Sequence, residues 1–406
     1  MDIALALSGG GYRASVFHLG ILKRLALENQ LENVTFISSV SGGSLVTGLI
    51  ITLNGNSWPT SRQYLDKVYP AAKKVFTTTD LQKALLQRVS ENLFLLFGSR
   101  AKALSKLIQE KWGVTTNLSQ LPERPRWMIN ATCYETGKNW RFERFRMGDY
   151  LFGYSNDTDK VKVADAMTAS AGFPGGIGAL PLDVSPFHWY EYTATYKAND
   201  EVKDTPEGIK ARKTSPKTQL YSQTVHLWDG GVYDNHGLEG LYDPLTGWSD
   251  KFEFLVVSDA AGRGGMEQYH AGAKALGRMM TGIMMNQVRS LRTRSILESI
   301  QNHNQKGIFL QTGKSVSNIL KNIQPTPGNT AYIENTLKLQ RTIEQFSQGT
   351  LSDSQAQAVA AFPTVIRRLT EPEFDLVSQH GYETANAVLS SYYPDQFKYL
   401  LSSSAQ

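Results

Sequence analysis

The 406-residue chain reads as an α/β protein, and three places in it carry that reading. At each, a short apolar strand runs straight into a glycine turn. Ile3–Leu7 leads to Gly9-Gly10-Gly11, Phe36–Val40 leads to Ser41-Gly42-Gly43, and Val225–Asp229 leads to Gly230-Gly231. Short apolar runs of this length read as buried strands. In open α/β sheets ligands bind beyond the strand ends, so the same turns are where a site is expected.

The first turn is Ser8-Gly9-Gly10-Gly11-Tyr12-Arg13-Ala14, followed by Val16, Leu19, Leu22 and Ala26 at helical spacing. Consecutive glycines at a helix N-terminus expose backbone N–H groups that bind negative charge. Arg13 adds a fixed cation or pins the loop. In an acyl-transfer enzyme such a loop is an oxyanion hole, placed where charge develops on the substrate carbonyl. The glycines also fit a dinucleotide fingerprint, which needs an acidic residue at the end of the next strand. That strand ends in Ser39-Val40-Ser41 and has none. No Gly-Lys-Ser/Thr follows, so a Walker phosphate loop is excluded.

In the second turn Ser41 stands between strand and helix, in a near match to G-x-S-x-G with Ser39 at the first glycine position. A serine there is held above the sheet edge with its Oγ exposed. The glycines allow strand and helix backbones to pass too close for a Cβ. The positive end of the following helix faces any oxyanion formed there. The third turn carries Asp229, freed by two glycines to reach across a sheet edge. An Asp-Gly pair alone is commonly a plain turn. The weight comes from the trio: nucleophile candidate, oxyanion loop and carboxylate, each at a strand end.

Together these motifs resemble the patatin-like phospholipase family, which carries a Gly-Gly-Gly-x-Arg loop, a G-x-S-x-G serine and an Asp-Gly-Gly/Ala motif. Here they read Gly9-Gly10-Gly11-Tyr12-Arg13, Ser39-Val40-Ser41-Gly42-Gly43 and Asp229-Gly230-Gly231. A fourth block of the family, an Ala/Ser-rich helix ending in proline, looks like Ala166–Pro174. The resemblance implies a three-layer α/β/α sandwich with a mainly parallel central sheet. It also implies a Ser41–Asp229 dyad, with Gly9, Gly10, Gly11 and Arg13 at the oxyanion, acting on phospholipids or related acyl esters. Burial raises carboxyl pKa values, which makes an aspartate a workable base near neutral pH. His226, on the strand before Asp229, and His236, just after its turn, leave a Ser–His–Asp triad open as the other arrangement.

Bulk properties agree with an intracellular enzyme. The net charge is +5 and charged residues are sparse at 19%, with no basic run of the kind that binds nucleic acid. Lys274, Arg278, Arg289, Arg292 and Arg294 form a modest basic helix region, read first as a solvated face and second as attraction to anionic lipid. Cys133 is the one cysteine, so no intrachain disulfide forms, which suits a cytoplasmic setting. No clustered His/Cys spacing suggests a metal, and no cofactor is expected. Met1-Asp2-Ile3 lacks a basic n-region and reads as the start of a strand, not a signal peptide. The longest apolar stretch, Leu45–Leu53, is too short to span a bilayer. The expected partners are a lipid substrate and a peripheral membrane surface.

Residues 1–265 are expected to form the catalytic core, with a helical insertion at about 58–112 and a polar surface insertion at about 185–220. In the first insertion, Thr79 and Asp80 are candidate caps, and Leu93–Phe97 is an apolar knot suited to core, pocket cap or membrane contact. Arg126–Tyr134 and Trp140–Phe145 read as paired strands, and Phe252–Ser258 as a further buried one. Residues 266–406 are expected to be a mainly helical extension packed on the core. It holds a strand at Lys306–Gln311, a break at Pro325–Gly328 and helices at roughly 332–346, 353–362 and 371–391. The other class of function is a lipid- or nucleotide-binding protein that keeps the fold without catalysis.

Overall fold

The first strand, β1 (Ile3–Leu7), is buried along its whole length, and its alternate side chains enter two different apolar cores. Ile3, Leu5 and Leu7 join the larger one. Ala4 and Ala6 join a second with Met128, Leu238, Trp248 and Ile296. A strand apolar on both faces must be covered on both, and that sets three layers. The computed structural model describes residues 1–91, 99–192, 214–248, 252–262, 266–302, 305–322 and 349–400. The Leu93–Phe97 knot, most of the 185–220 insertion, the Pro325–Gly328 break, the 332–346 helix and His303 lie outside the described residues.

The central sheet is built from β2 (Val34–Val40), β3 (Arg126–Cys133), β13 (Phe254–Asp259) and β14 (Gly307–Gln311) around β1. The order is β14-β13-β1-β2-β3, and all four pairings are parallel. Beyond β3 the sheet changes character. Strands β4 (Asn139–Phe142), β5 (Met147–Asp149), β6 (Gly153–Ser155), β8 (Tyr190–Tyr192) and β9 (Thr214–Pro216) continue it as an antiparallel wing. Strand β10 (Thr224–Asp229) pairs antiparallel with both β3 and β7 (Leu180–Asp183). Tyr242–Asp243 and Gly247–Trp248, here β11 and β12, form a separate ribbon. The parallel centre matches the sequence expectation. The length of the wing does not follow from it, because three-residue strands carry too little periodicity to read.

On the larger core's face lie α1 (Gly11–Ala26), α2 (Gly42–Leu53) and α9 (Glu371–Tyr392). Helices α1 and α9 cross at two glycines. A Cβ on Gly20 would collide with the Ser378 carbonyl, and one on Gly381 with the Phe17 carbonyl. Close approach lets both helices bury nearly every side chain from Phe374 onward and throughout α1. Helices α3 (Tyr69–Thr78), α4 (Leu81–Glu91) and α5 (Arg100–Trp112) extend this side. Asp80 caps α4, its Oδ1 accepting the Lys83 N–H at 2.7 Å. A short helix, α6 (Val163–Ser170), packs against α2, α5 and β3. Helix α7 (Met285–Asn302) covers the opposite face of the sheet through Ile296. Helix α8 (Asp353–Ala361) begins with a capping box at Ser352 and Gln355. Among the described residues no helix is long and apolar enough to cross a membrane.

Candidate active site

Strand register brings Ser41 and Asp229 together. Along β3, β4 occupies one edge over Ile129–Thr132. The other edge is shared end to end. Strand β2 runs parallel to β3 and stops where Val40 pairs with Asn130. Strand β10 runs the opposite way and stops where Asp229 pairs with Ala131. Two strands thus meet carboxyl end to carboxyl end at adjacent registers. Ser41 follows one and Asp229 ends the other.

Ser41 has φ 51° and ψ −114°, a strained backbone for a residue with a Cβ. Its neighbours make that conformation possible. A Cβ on Gly42 would collide with the Gly11 carbonyl, and one on Gly43 with the Leu7 carbonyl. Beneath the turn runs a chain of hydroxyls. The Ser41 N–H donates to Ser170 Oγ at 2.9 Å. Ser170 Oγ bonds to Ser44 Oγ at 2.8 Å, Ser44 Oγ to Ser39 Oγ at 2.9 Å, and Trp127 Nε1 donates to Ser39 Oγ at 2.8 Å. Ser39, the one departure from G-x-S-x-G, is therefore a working member of this support.

Asp229 is 3% exposed. Burial pushes its carboxyl up to about 7, against the opposing pull of hydrogen bonds from the Gly231 N–H and the Ser41 hydroxyl. The Gly231 N–H donates to Oδ1 at 2.8 Å and fixes the carboxyl's orientation. The Ala/Ser-rich block ties both halves of the site together. The Gly172 carbonyl accepts the Asp229 N–H at 3.1 Å, and the Ser170 carbonyl accepts the Gly230 N–H at 3.2 Å. Ser170 thus holds Ser41 through its hydroxyl and the Asp229 turn through its carbonyl.

The glycine loop divides. The Gly9 N–H donates to the Asn235 carbonyl at 3.2 Å. Gly10 (φ 140°) and Gly11 (φ 61°) hold left-handed backbone, and Gly10 borders the pocket beside Ser41 and Asp229. Arg13 donates from Nε to the Ala260 carbonyl at 3.0 Å and from Nη2 to Thr364 Oγ1 at 3.4 Å, and it also bonds the Phe362 carbonyl. Of the two roles read from the sequence, pinning the loop is the one these bonds describe. Its guanidinium still borders the pocket. That pocket encloses about 260 Å³ and is completed by Phe173, Asn235, Arg278, Thr281, Met285 and Arg289.

Neither candidate histidine joins the pair. Side chains alternate along a strand, so Val225, Leu227 and Asp229 point inward while His226 points out. Its Nδ1 bonds Glu135 Oε1 at 2.7 Å. His236 is buried against Phe309, with Nε2 3.5 Å from Asp259 Oδ2. Among the described residues no histidine lines the pocket. Sequence reasoning missed Asn235 and the bridging role of Ser170. Asn235 lies six residues after Asp229, with its Oδ1 packed against Gly9 and Gly231, and no motif marks it.

The patatin-like phospholipase family model matches residues 5–242. No curated protein matches the chain in sequence. Among solved structures it resembles human GIVD cytosolic phospholipase A2 at 12% identity and a TM-score of 0.50, over 97% of this chain and 59% of that one. VipD from Legionella pneumophila aligns at 16% identity and a TM-score of 0.30, over 84% of this chain and 66% of that one. The chain therefore spans little more than half the human protein's length, and that likeness speaks for the fold. The family match runs from inside β1 to the start of the β11–β12 ribbon and contains Gly9–Gly11, Arg13, Ser41, Ala166–Pro174 and Asp229; the chain belongs to the patatin-like phospholipase family.

Proposed function

We propose that the protein is a serine acyl hydrolase that cleaves ester bonds of phospholipids or related acyl lipids through a Ser41–Asp229 dyad. The observation that carries this is the placement of Ser41 and the buried Asp229 carboxyl beside one pocket, where the carboxyl ends of β2 and β10 meet on β3, with burial lifting that carboxyl to about 7. A base matched to neutral pH is what an unactivated serine needs. Ser41 Oγ attacks the ester carbonyl while Asp229 takes its proton. The oxyanion forms beside the Gly10 and Gly11 N–H groups and the N-terminus of α2. The alcohol leaves with the proton held by Asp229, and the acyl group stays on Ser41. Asp229 then takes a proton from water, whose oxygen attacks the acyl-serine, and returns that proton to the departing Ser41 Oγ as the fatty acid is released. No step calls for a metal or organic cofactor. The lone cysteine, Cys133, suits a reducing, cytoplasmic setting.

A fluorophosphonate probe tests the reading. Wild type should become labelled at Ser41, identified by peptide mass, and Ser41→Ala should not. Asp229→Asn should label at least about a hundredfold more slowly, because the serine has lost its base. An unlabelled, folded wild-type protein would instead favour a lipid- or nucleotide-binding role for the same fold.

A further inference from the structure

The helical run that roofs the pocket has two faces. It begins at Ala273–Gly277, widens through π-turns at Arg278–Met284 and continues as α7. One face, carrying Arg278, Thr281, Gly282, Met285 and Arg289, lines the pocket that holds Ser41 and Asp229. The other carries Leu276, Met279, Met280, Ile283, Met284 and Leu291, each between 53% and 61% exposed. Single exposed apolar residues are ordinary, but six large ones on one helical face mark an interaction surface. Methionine is well suited to a fluid apolar phase because its unbranched side chain adapts to irregular neighbours.

Charge names the occupant. Residues 266–300 contain five Lys/Arg and two Asp/Glu, with no acidic residue between Gln268 and Leu297. Arg278 is paired with Glu267 inside the same segment, and the pairs of Arg289 with Asp259 and of Arg292 with Asp234 and Glu239 anchor the run to the core. Lys274 and Arg294 remain at the exposed surface. An apolar stripe flanked by cations is the pattern of a helix lying in an anionic lipid interface. Pocket size points the same way. A cavity of about 260 Å³ cannot enclose a diacyl phospholipid, so most of each substrate must stay in an apolar phase next to the pocket mouth.

We propose that the exposed face of residues 276–291 docks into anionic lipid bilayers and sets the pocket mouth at the membrane surface. The idea rests on the acyl-hydrolase reading for its substrate, but its test does not depend on turnover. The full chain is mixed with sedimentable vesicles of phosphatidylcholine, with or without about 30% phosphatidylserine. Wild type should bind the anionic vesicles about tenfold more tightly than the neutral ones. Met280→Glu/Ile283→Glu should weaken anionic binding at least about tenfold. Tyr221→Glu, an exposed apolar position on another element, should bind as wild type does. Circular dichroism checks folding in each.

A local probe keeps the idea falsifiable if the double variant fails to fold. Because Cys133 is buried, Met280→Cys offers one accessible thiol for an environment-sensitive fluorophore. Its emission should shift to the blue when anionic vesicles are added. Vesicle binding without that shift, wild-type binding by the double variant, or a self-association that buries this face and blocks vesicle binding would each overturn the proposal. Hydrolysis of a soluble ester by a protein that ignores vesicles would overturn it and leave the acyl-hydrolase reading standing. Vesicle binding with no labelling of Ser41 would do the reverse.

Discussion

Asp229 and Asp259 each end a strand of the same sheet, and each is almost wholly buried, at 3% and 0% exposure. Their chemistry is opposite. Among the described residues no cation bonds to Asp229; the Gly231 N–H donates to it, Ser41 stands beside it at the pocket, and burial lifts it to about 7. For Asp259 burial also pushes upward, but His236 and Arg289 beside it outweigh that and hold the carboxyl below its ordinary range. Arg289 donates to Asp259 Oδ2 from Nε at 2.9 Å and from Nη2 at 2.6 Å. Burial alone does not decide what a carboxylate does; the partner does. The uncompensated aspartate can exchange a proton near neutral pH, and the compensated one is a fixed anion that clamps α7 onto the sheet.

The comparison is tested most severely at Asp229. Ser41→Ala and Asp229→Asn should each lower turnover of a soluble acyl ester by at least about 10³-fold, and the double variant should be little worse than either. Fully additive losses would mean that the two residues do not act as one unit. At Asp259 the expected effect is on stability. Arg289→Met leaves a buried carboxylate without its cation and should cost about 3 kcal/mol in urea denaturation. Asp259→Leu/Arg289→Met should recover more than half of that, since removing both partners leaves no bare charge. Equal losses in single and double variants would make the clamp a matter of packing and not of charge.

A pH series sharpens the contrast. Asp229 must be ionised to act as a base, so kcat/KM should fall about tenfold per pH unit below roughly 7. Asp259 stays charged throughout that range and contributes nothing to the slope. Asp229 also binds its proton more tightly in the folded chain than in the unfolded one, whose carboxyl titrates near 4. The stability from that proton is complete below about pH 4 and is lost as pH rises through about 7. Asp229→Asn should therefore melt above wild type at pH 8, with the gap closing as pH falls. A flat profile of both activity and melting would remove the raised carboxyl from the account.

What was legible in the sequence was local. Gly10, Ser41 and Asp229 sit in turns whose backbone demands glycine neighbours, and those demands are written in adjacent residues. Arg13 was legible as a candidate, but its role was not, because its partners Ala260, Phe362 and Thr364 lie some 250 to 350 residues away. The same holds for Gly9, whose N–H donates to the Asn235 carbonyl. Periodicity identified helix after residue 265 but could not say which side of it meets protein. The basic residues there were read first as a solvated face, whereas Arg289 and Arg292 are in fact tied to the core and methionines face outward. Direction along β3 was equally hidden. Nothing in Val225–Asp229 reveals that the strand runs antiparallel and meets β2 head to head.

The smallest expected effect is at His226, and it decides between dyad and triad. Three residues before Asp229 on one strand, His226 was the nearest alternative base by sequence. An odd separation on a strand puts two side chains on opposite faces, and His226 is bound instead to Glu135, through both its Nδ1 and its backbone N–H. His226→Asn removes an exposed imidazole from a surface hydrogen bond to Glu135, an arrangement worth at most about 1 kcal/mol. Turnover should then stay within about twofold of wild type, and the pH profile should keep its midpoint near 7, since that midpoint belongs to Asp229. His236→Asn provides the harsher control. It should lower stability because the ring fills a buried space, yet keep turnover within about tenfold in the folded protein, measured at a temperature below its own melting transition. A folded histidine variant that lost activity as completely as Ser41→Ala would assign the base to that imidazole, and the raised carboxyl of Asp229 would then be orienting a histidine instead of accepting the serine proton.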